Sequence, residues 1–194
     1  MIMKKKNFII LRKFFHNTIY SLKDSNESFF KFRGTMKITK TNAMRSCDTH
    51  KINYQIYTYD TSDGHIDGIS VANKCNQDPL MVYKTLVTIG QSKKIYVFVI
   101  GVLEELDLKK CAKAVHEKNI EMIAVKDLLN LTGYVRGGCS PIGMKKNYPV
   151  YVSNTFKNIE SIIFSGGKIG MQIHCSCDDF IKITKAQIVD VKKD

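Results

Sequence analysis

The sequence predicts an α+β fold, a single compact domain built on mixed sheets. Three observations carry this. Strand-like runs outnumber helical ones, several strands follow one another directly, and no internal repeat or long linker interrupts the chain after residue 36. Direct strand-to-strand succession argues against a repeating βαβ sheet. At 194 residues the chain is long enough for a real core, since a chain of about 150 residues hides roughly 70% of its unfolded surface. Hydrophobic residues make up 44% and charged residues 25%, which excludes collagen, coiled-coil and disordered classes. The longest apolar runs are far too short for a transmembrane helix.

The elements follow in order. Thr41 to Lys51 reads as a helix with Thr41 or Asn42 as its cap. Tyr54 to Tyr59 is rich in β-formers and reads as a strand. Ile69 to Lys74 is a helix that must end before Asn76 and Pro79. Val82 to Ile89 and Ile95 to Ile100 are the clearest strand pair, and Gly90 to Lys94 is short enough to join them as a hairpin. Leu106 to His116 places Leu106, Cys111, Ala114 and Val115 on one helical face. Ile120 to Ala124 is a short strand and Lys126 to Leu131 a short helix. Pro149 to Val152, Ser161 to Ser165 and Gly170 to His174 are strands, Asp178 to Thr184 a helix, and Gln187 to Val191 a last strand.

Lys plus Arg number 30 and Asp plus Glu 18, a net charge of +12, which favours a polyanionic partner. The excess is uneven. Residues 1–35 hold 8 basic and 2 acidic side chains, half of the imbalance in about a fifth of the chain. This segment is expected to be a basic, poorly ordered and dispensable extension, with residues 36–194 as the domain. Its apolar stretch, Phe8 to Leu11, is too short for a secretory signal. An organellar presequence is the alternative reading. The six cysteines follow no zinc-ribbon spacing and the five histidines are scattered, so reduced thiols, a cytoplasmic location, no metal and no cofactor are expected. Neither a membrane nor DNA is expected as a partner.

Three constellations could carry chemistry. The run Gly133-Tyr134-Val135-Arg136-Gly137-Gly138-Cys139-Ser140-Pro141-Ile142-Gly143 is a loop whose backbone a ligand can approach closely. N–H groups in such a loop can bind a carbonyl oxygen or phosphate. An ordinary connecting loop is the bland alternative, and neither a P-loop nor a dinucleotide fingerprint is present. Ser165-Gly166-Gly167-Lys168-Ile169-Gly170 reads first as a hairpin turn. Lys84 lies inside an apolar strand, facing either a cleft or solvent; alternation does not choose, because both faces carry apolar residues. Ser140, Ser165, Cys139, His116 and His174 are available for nucleophilic catalysis, but no motif joins them. Cys139 in a glycine loop is a weak candidate without a paired histidine.

Taken in order, the motifs resemble the YbaK/EbsC family of aminoacyl-tRNA deacylases. They are Tyr54–Tyr59, Asp78-Pro79 with Val82-Tyr83-Lys84-Thr85-Leu86, Leu106-Asp107-Leu108-Lys109-Lys110, Gly133-Tyr134 with Gly137-Gly138-x-Ser140-Pro141-x-Gly143, and Ser165-Gly166-Gly167-Lys168-x-Gly170. The resemblance spans residues 38–192. It implies the compact α+β domain found as an insertion in bacterial prolyl-tRNA synthetases. It further implies trans-editing of Cys-tRNA(Pro), or Cys-tRNA(Cys), beside prolyl-tRNA synthetase. The substrate's own thiol would attack the ester carbonyl and release a cysteine thiolactone, a carbon–oxygen lyase route. Pocket size discriminates poorly between cysteine and proline, whereas only cysteine brings a thiol.

The resemblance also implies roles. Lys84 would contact the terminal adenosine's phosphate or orient the ester, Tyr59 would shape the pocket, and Gly137 and Gly138 would offer N–H groups to the carbonyl oxygen. Ser165 would position the aminoacyl group, while Ser140 and Pro141 would hold the loop. Thr85, Gly166, Gly167 and Lys168 join the expected substrate-binding set. Gln172 stands where the family pattern has an acidic residue, and Ile169 where it commonly has arginine. Two alternatives stay open: an Ala-tRNA(Pro) deacylase using water, and a non-catalytic module binding tRNA or the synthetase.

Overall fold

A computed structural model of the chain describes residues 39–194 and a two-residue strand, β1 (Tyr20–Ser21). The expectation of low order for residues 1–35 otherwise falls outside the described residues. After β1 come α1 (Asn42–Thr49), β2 (Tyr54–Thr58), α2 (Gly68–Lys74), β3 (Tyr83–Gly90), β4 (Ile95–Gly101) and α3 (Leu108–Ala114). They are followed by β5 (Ile120–Met122), α4 (Val125–Thr132), β6 (Val150–Ser153), β7 (Ser161–Ser165), β8 (Met171–Ser176), α5 (Cys177–Thr184) and β9 (Gln187–Val189).

The strands form two sheets, ordered β1-β2-β8-β7 and β5-β3-β4-β6-β9. The first is antiparallel throughout. The second is mixed, because β4–β6 and β6–β9 run parallel. Among the described residues one bridge, Val82 to Ile163, stitches the sheets together. The mixed α+β architecture expected from the sequence is what the chain adopts.

Burial explains this arrangement. In β4, Val97 and Val99 enter the core between the sheets, while Tyr96, Phe98 and Ile100 enter a second core beneath α3. A strand apolar on both faces belongs at a sheet's centre. Helices α1 and α5 close the first core with Met44, Cys47 and Phe180. Helix α2 covers the seam, where Ala72 and Val102 pack with Val82 and Ile163.

Side-chain caps set the helix starts. The Thr41 hydroxyl accepts from Met44 N at 3.2 Å, and Asp67 accepts from Ser70 N at 3.0 Å. Asp107 accepts from Lys109 N and Lys110 N, so α3 begins at Leu108 rather than at the expected Leu106. It ends at Ala114 because His116, with φ 56°, has already left the helical region. Strand β8 extends to Ser176 because Ser161 pairs there, and β9 stops at Val189, where its pairing with Ser153 ends.

Candidate active site

A cleft of about 600 Å³ opens at the seam between the sheets. Its floor is the start of β3, Tyr83 to Leu86, and its walls come from the segment before α2, the first glycine loop and the β7–β8 turn. Lys84, Tyr59, Gly137, Ser165, Thr85 and Gln172 all line it. Side chains distant in sequence thus meet because β3 bridges to β7 through Val82 while β8 pairs with β2.

The alternation along β3 is resolved by its two cores. Tyr83 and Val87 face the space between the sheets, whereas Leu86 packs under α3. Lys84 is half-buried, and its Nζ donates to the carbonyl oxygens of Glu104 at 2.5 Å and Val102 at 3.3 Å. An ammonium has three donors, so one remains for a ligand. Burial lowers the Lys84 pKa, and Glu105 and then Glu104 act in the opposite direction. Its preference for charge is thereby weakened.

The glycine loop needs its glycines at defined places. Gly137 has φ +81°, and a Cβ there would sit 2.8 Å from Ile66 Cδ1. Gly138 is pressed against the second turn, where a Cβ would lie 3.0 Å from Ile169 N. The Gly138 N–H has a partner within its own loop. It donates to Val135 O at 3.0 Å and closes the turn, and of the two glycines Gly137 is the one that lines the cleft.

The other expected substrate-binding residues do not line the cleft. Ser140 is fully buried and Pro141 is buried. Gly166 donates its N–H to Met171 O and accepts from the Thr41 hydroxyl through its carbonyl. Gly167 lies under the Tyr134 ring, whose hydroxyl reaches Ile142 O and Gly143 O at 2.8 and 3.0 Å. Lys168 is exposed at the turn and does not line the cleft.

The cleft's polar groups differ in how they are held. The Ser165 hydroxyl accepts from Gly167 N at 3.3 Å. Gln172 is buried, and its Oε1 accepts from Gln77 Nε2 at 3.0 Å. Thr85 Oγ1 is buried without a hydrogen-bond partner. Burial raises the Tyr59 pKa, and its backbone N–H donates to Gly170 O.

Cys139 lines the cleft, but burial pushes its thiol up to about 12, which leaves almost no thiolate near neutrality. His174 contacts Ser161 Oγ through Nε2 at 2.9 Å, and neither residue lines the cleft. Among the described residues the cleft therefore holds no paired nucleophile and base. Nor, among them, does any group of three or more His, Cys, Asp or Glu come together to hold a metal. All six cysteines are free thiols. No described helix is long and apolar enough to cross a membrane.

Sequence reasoning missed Ile66, Asp67, Arg136 and Gln77. Asp67 is a residue type that favours the helix N-cap, but no Glu or Gln three residues on marked it as one. Arg136 lay within the glycine run itself. Gln77 carried no signal, because its interaction with Gln172 spans 95 positions.

A two-sheet domain with this seam cleft defines a class, and the chain's relatives specify it. The sequence profile of the aminoacyl-tRNA editing domain matches residues 67–183. EbsC of Enterococcus faecalis, which carries the name of a Cys-tRNA(Pro)/Cys-tRNA(Cys) deacylase, is 43% identical over 152 residues, covering 78% of this chain and 93% of that protein. The chain belongs to the aminoacyl-tRNA editing domain family, in its YbaK/EbsC branch. Two solved structures share the fold. One, described as a trans-editing enzyme for prolyl-tRNA synthetase, has a TM-score of 0.70 at 20% identity, over 81% of this chain and 100% of that one. A hypothetical protein has a TM-score of 0.72 at 16% identity, over 79% and 100%.

Proposed function

We propose that the protein is a trans-acting deacylase that clears Cys-tRNA(Pro), and Cys-tRNA(Cys), by letting the misplaced cysteine cut its own ester. The carrying observation is a cleft that gathers Lys84, Tyr59, Gly137 and Ser165 without a competent nucleophile of its own. The kinship with EbsC supports the substrate class.

In this reading the cysteinyl sulfur attacks the ester carbonyl carbon. A C–S bond forms, the C–O bond to the terminal ribose breaks, and a cysteine thiolactone leaves. The thiol's proton ends on the ribose oxygen. A free thiol of pKa about 8.5 supplies a useful thiolate fraction near neutrality, whereas a hydroxyl supplies almost none. The Lys84 ammonium favours the thiolate and the charge that develops on the carbonyl oxygen. Gly137 N–H and Ser165 orient the ester. Proline lacks a thiol and survives.

Residues 36–194 hold half of the net charge in four fifths of the chain. Modest basicity of that kind gives modest tRNA affinity, which supports action beside prolyl-tRNA synthetase. The test is deacylation of proline tRNA charged with Cys, Ser, Ala or Pro, with and without the synthetase. Loss of Cys alone, with thiolactone as the product, is expected. Hydrolysis of Ser-tRNA(Pro) at the Cys rate would overturn the thiol mechanism. Loss of Ala would point to the water-using branch, and binding without turnover to a recognition module.

A further inference from the structure

The cleft's lining carries more positive than negative charge. Lys84 and Arg136 line it against one lining carboxylate, Asp67, whose Oδ1 accepts from the Ser70 backbone N at 3.0 Å and whose Oδ2 accepts from the Ser70 hydroxyl at 2.6 Å. An aminoacyl ester carries its α-amino group beside the reacting carbonyl, and that group is an ammonium or a free amine around neutrality. Two lining cations disfavour the ammonium.

The buried amides point the same way. Gln172 is only 5% exposed and lines the cleft. Its Oε1 is held by Gln77 Nε2 at 3.0 Å, so the other end of the planar amide, Nε2, is the end left to a ligand. A primary amide nitrogen only donates. A free amine accepts such a hydrogen bond and an ammonium does not. Thr85, which lines the same cleft, has its Oγ1 buried and unpartnered, and a hydroxyl can accept one of the amine's hydrogens. Gln77 keeps its own Oε1 buried and unpartnered. An apolar side chain would avoid that penalty, so the retained amide calls for an explanation.

We propose that the cleft takes its aminoacyl ester with the α-amino group uncharged, accepting from Gln172 Nε2 and donating to Thr85, and that Gln77 is the positioning residue that sets the Gln172 amide this way round. The inference rests on the reading that the cleft holds an aminoacyl-adenosine end. The remaining ionisable neighbours come from every wall. They are Tyr57 across from Gln172 on β2, Tyr59 beyond it, and His174 two residues along β8. Tyr83 and Cys139 line the cleft, Glu104 and Glu105 lie behind Lys84, and Cys75 and Lys74 lie on the α2 side, the latter paired with Asp63. Burial raises the tyrosine and cysteine thiol values and lowers His174 and Lys84.

The test measures binding of 3′-alanylamino-3′-deoxyadenosine, an amide-linked analogue with no thiol and no scissile ester, by calorimetry across the titration of its amine. The propionyl analogue, which lacks the amine, reports any titration of protein groups. Relative to that control, Kd is expected to tighten roughly 50-fold between about pH 6 and about pH 9, as an amine of pKa about 7.8 loses its proton. Gln77→Met should lose most of this tightening, because the freed amide can rotate. Gln172→Glu should invert it, binding best at low pH. Thermal melts of both variants confirm folding. A flat or inverted wild-type profile would overturn the proposal. So would a Gln77→Met variant that keeps the wild-type slope, or one weakened equally at both ends as a packing residue would be. Failure of both analogues to bind at any pH would overturn the aminoacyl-adenosine reading and the inference with it. A normal profile in a protein that leaves Cys-tRNA(Pro) intact would count against the thiol chemistry alone.

Discussion

At the scale of single residues, Lys84 concentrates the site's electrostatics. Its ammonium is half-buried and held by two backbone oxygens, so its position is fixed before any ligand arrives. Preorganised charge of this kind is worth about 10²–10³ in turnover. Lys84→Ala should lower kcat on Cys-tRNA(Pro) by that order while leaving the fold intact, read by single-turnover deacylation beside a thermal melt. His174 gives a pH-dependent stability. Burial lowers its pKa from the ordinary value near 6.5, so the unfolded chain takes up a proton first as the pH falls. Stability should decline below about pH 6.5 and level off once the folded-state value is passed. His174→Gln should flatten that part of a urea-melt profile.

At the scale of elements, the two glycine turns act through what they exclude. A Cβ on Gly138 would meet backbone atoms of Lys168 and Ile169 at 3.0–3.3 Å, and no flexible side chain is there to give way. Gly138→Ala should destabilise the protein by about 1–3 kcal/mol and lower turnover by shifting Gly137 and Ser165, checked by melting and activity together. Most elements were legible because each rests on local chemistry. The hairpin of β3 and β4 has a short polar linker, the Ser165–Gly170 turn joins two apolar runs, and the end of α4 is marked by Gly133 at φ 83°. Element ends were less legible. The starts of α2 and α3 depended on Asp67 and Asp107 capping one or two residues away from the apolar pattern.

At the scale of the molecule, pairing was hidden. Nothing local in Val150–Ser153 announces that it runs parallel to β4 on one side and β9 on the other. The cleft itself depends on those long-range choices, so its membership could be proposed from motifs while Arg136, Asp67 and Gln77 could not be placed. The core shows how firmly the choices are held. Phe180 is fully buried, with ring centroids 5.5 Å from Phe156 and 5.4 Å from Phe164, so one helix is locked onto both the connection before β7 and β7 itself. Phe180→Ala should cost about 3–5 kcal/mol, seen as a lowered denaturant midpoint.

The contact of Gly138 with the chain at Lys168 and Ile169 reaches beyond stability. Two stretches of bare main chain in touch tie the first glycine loop to the β7–β8 turn, behind the residues that line the cleft. A change on either stretch is therefore passed to the other, and through the neighbouring Gly137 and Ser165 it reaches two walls of the cleft at once.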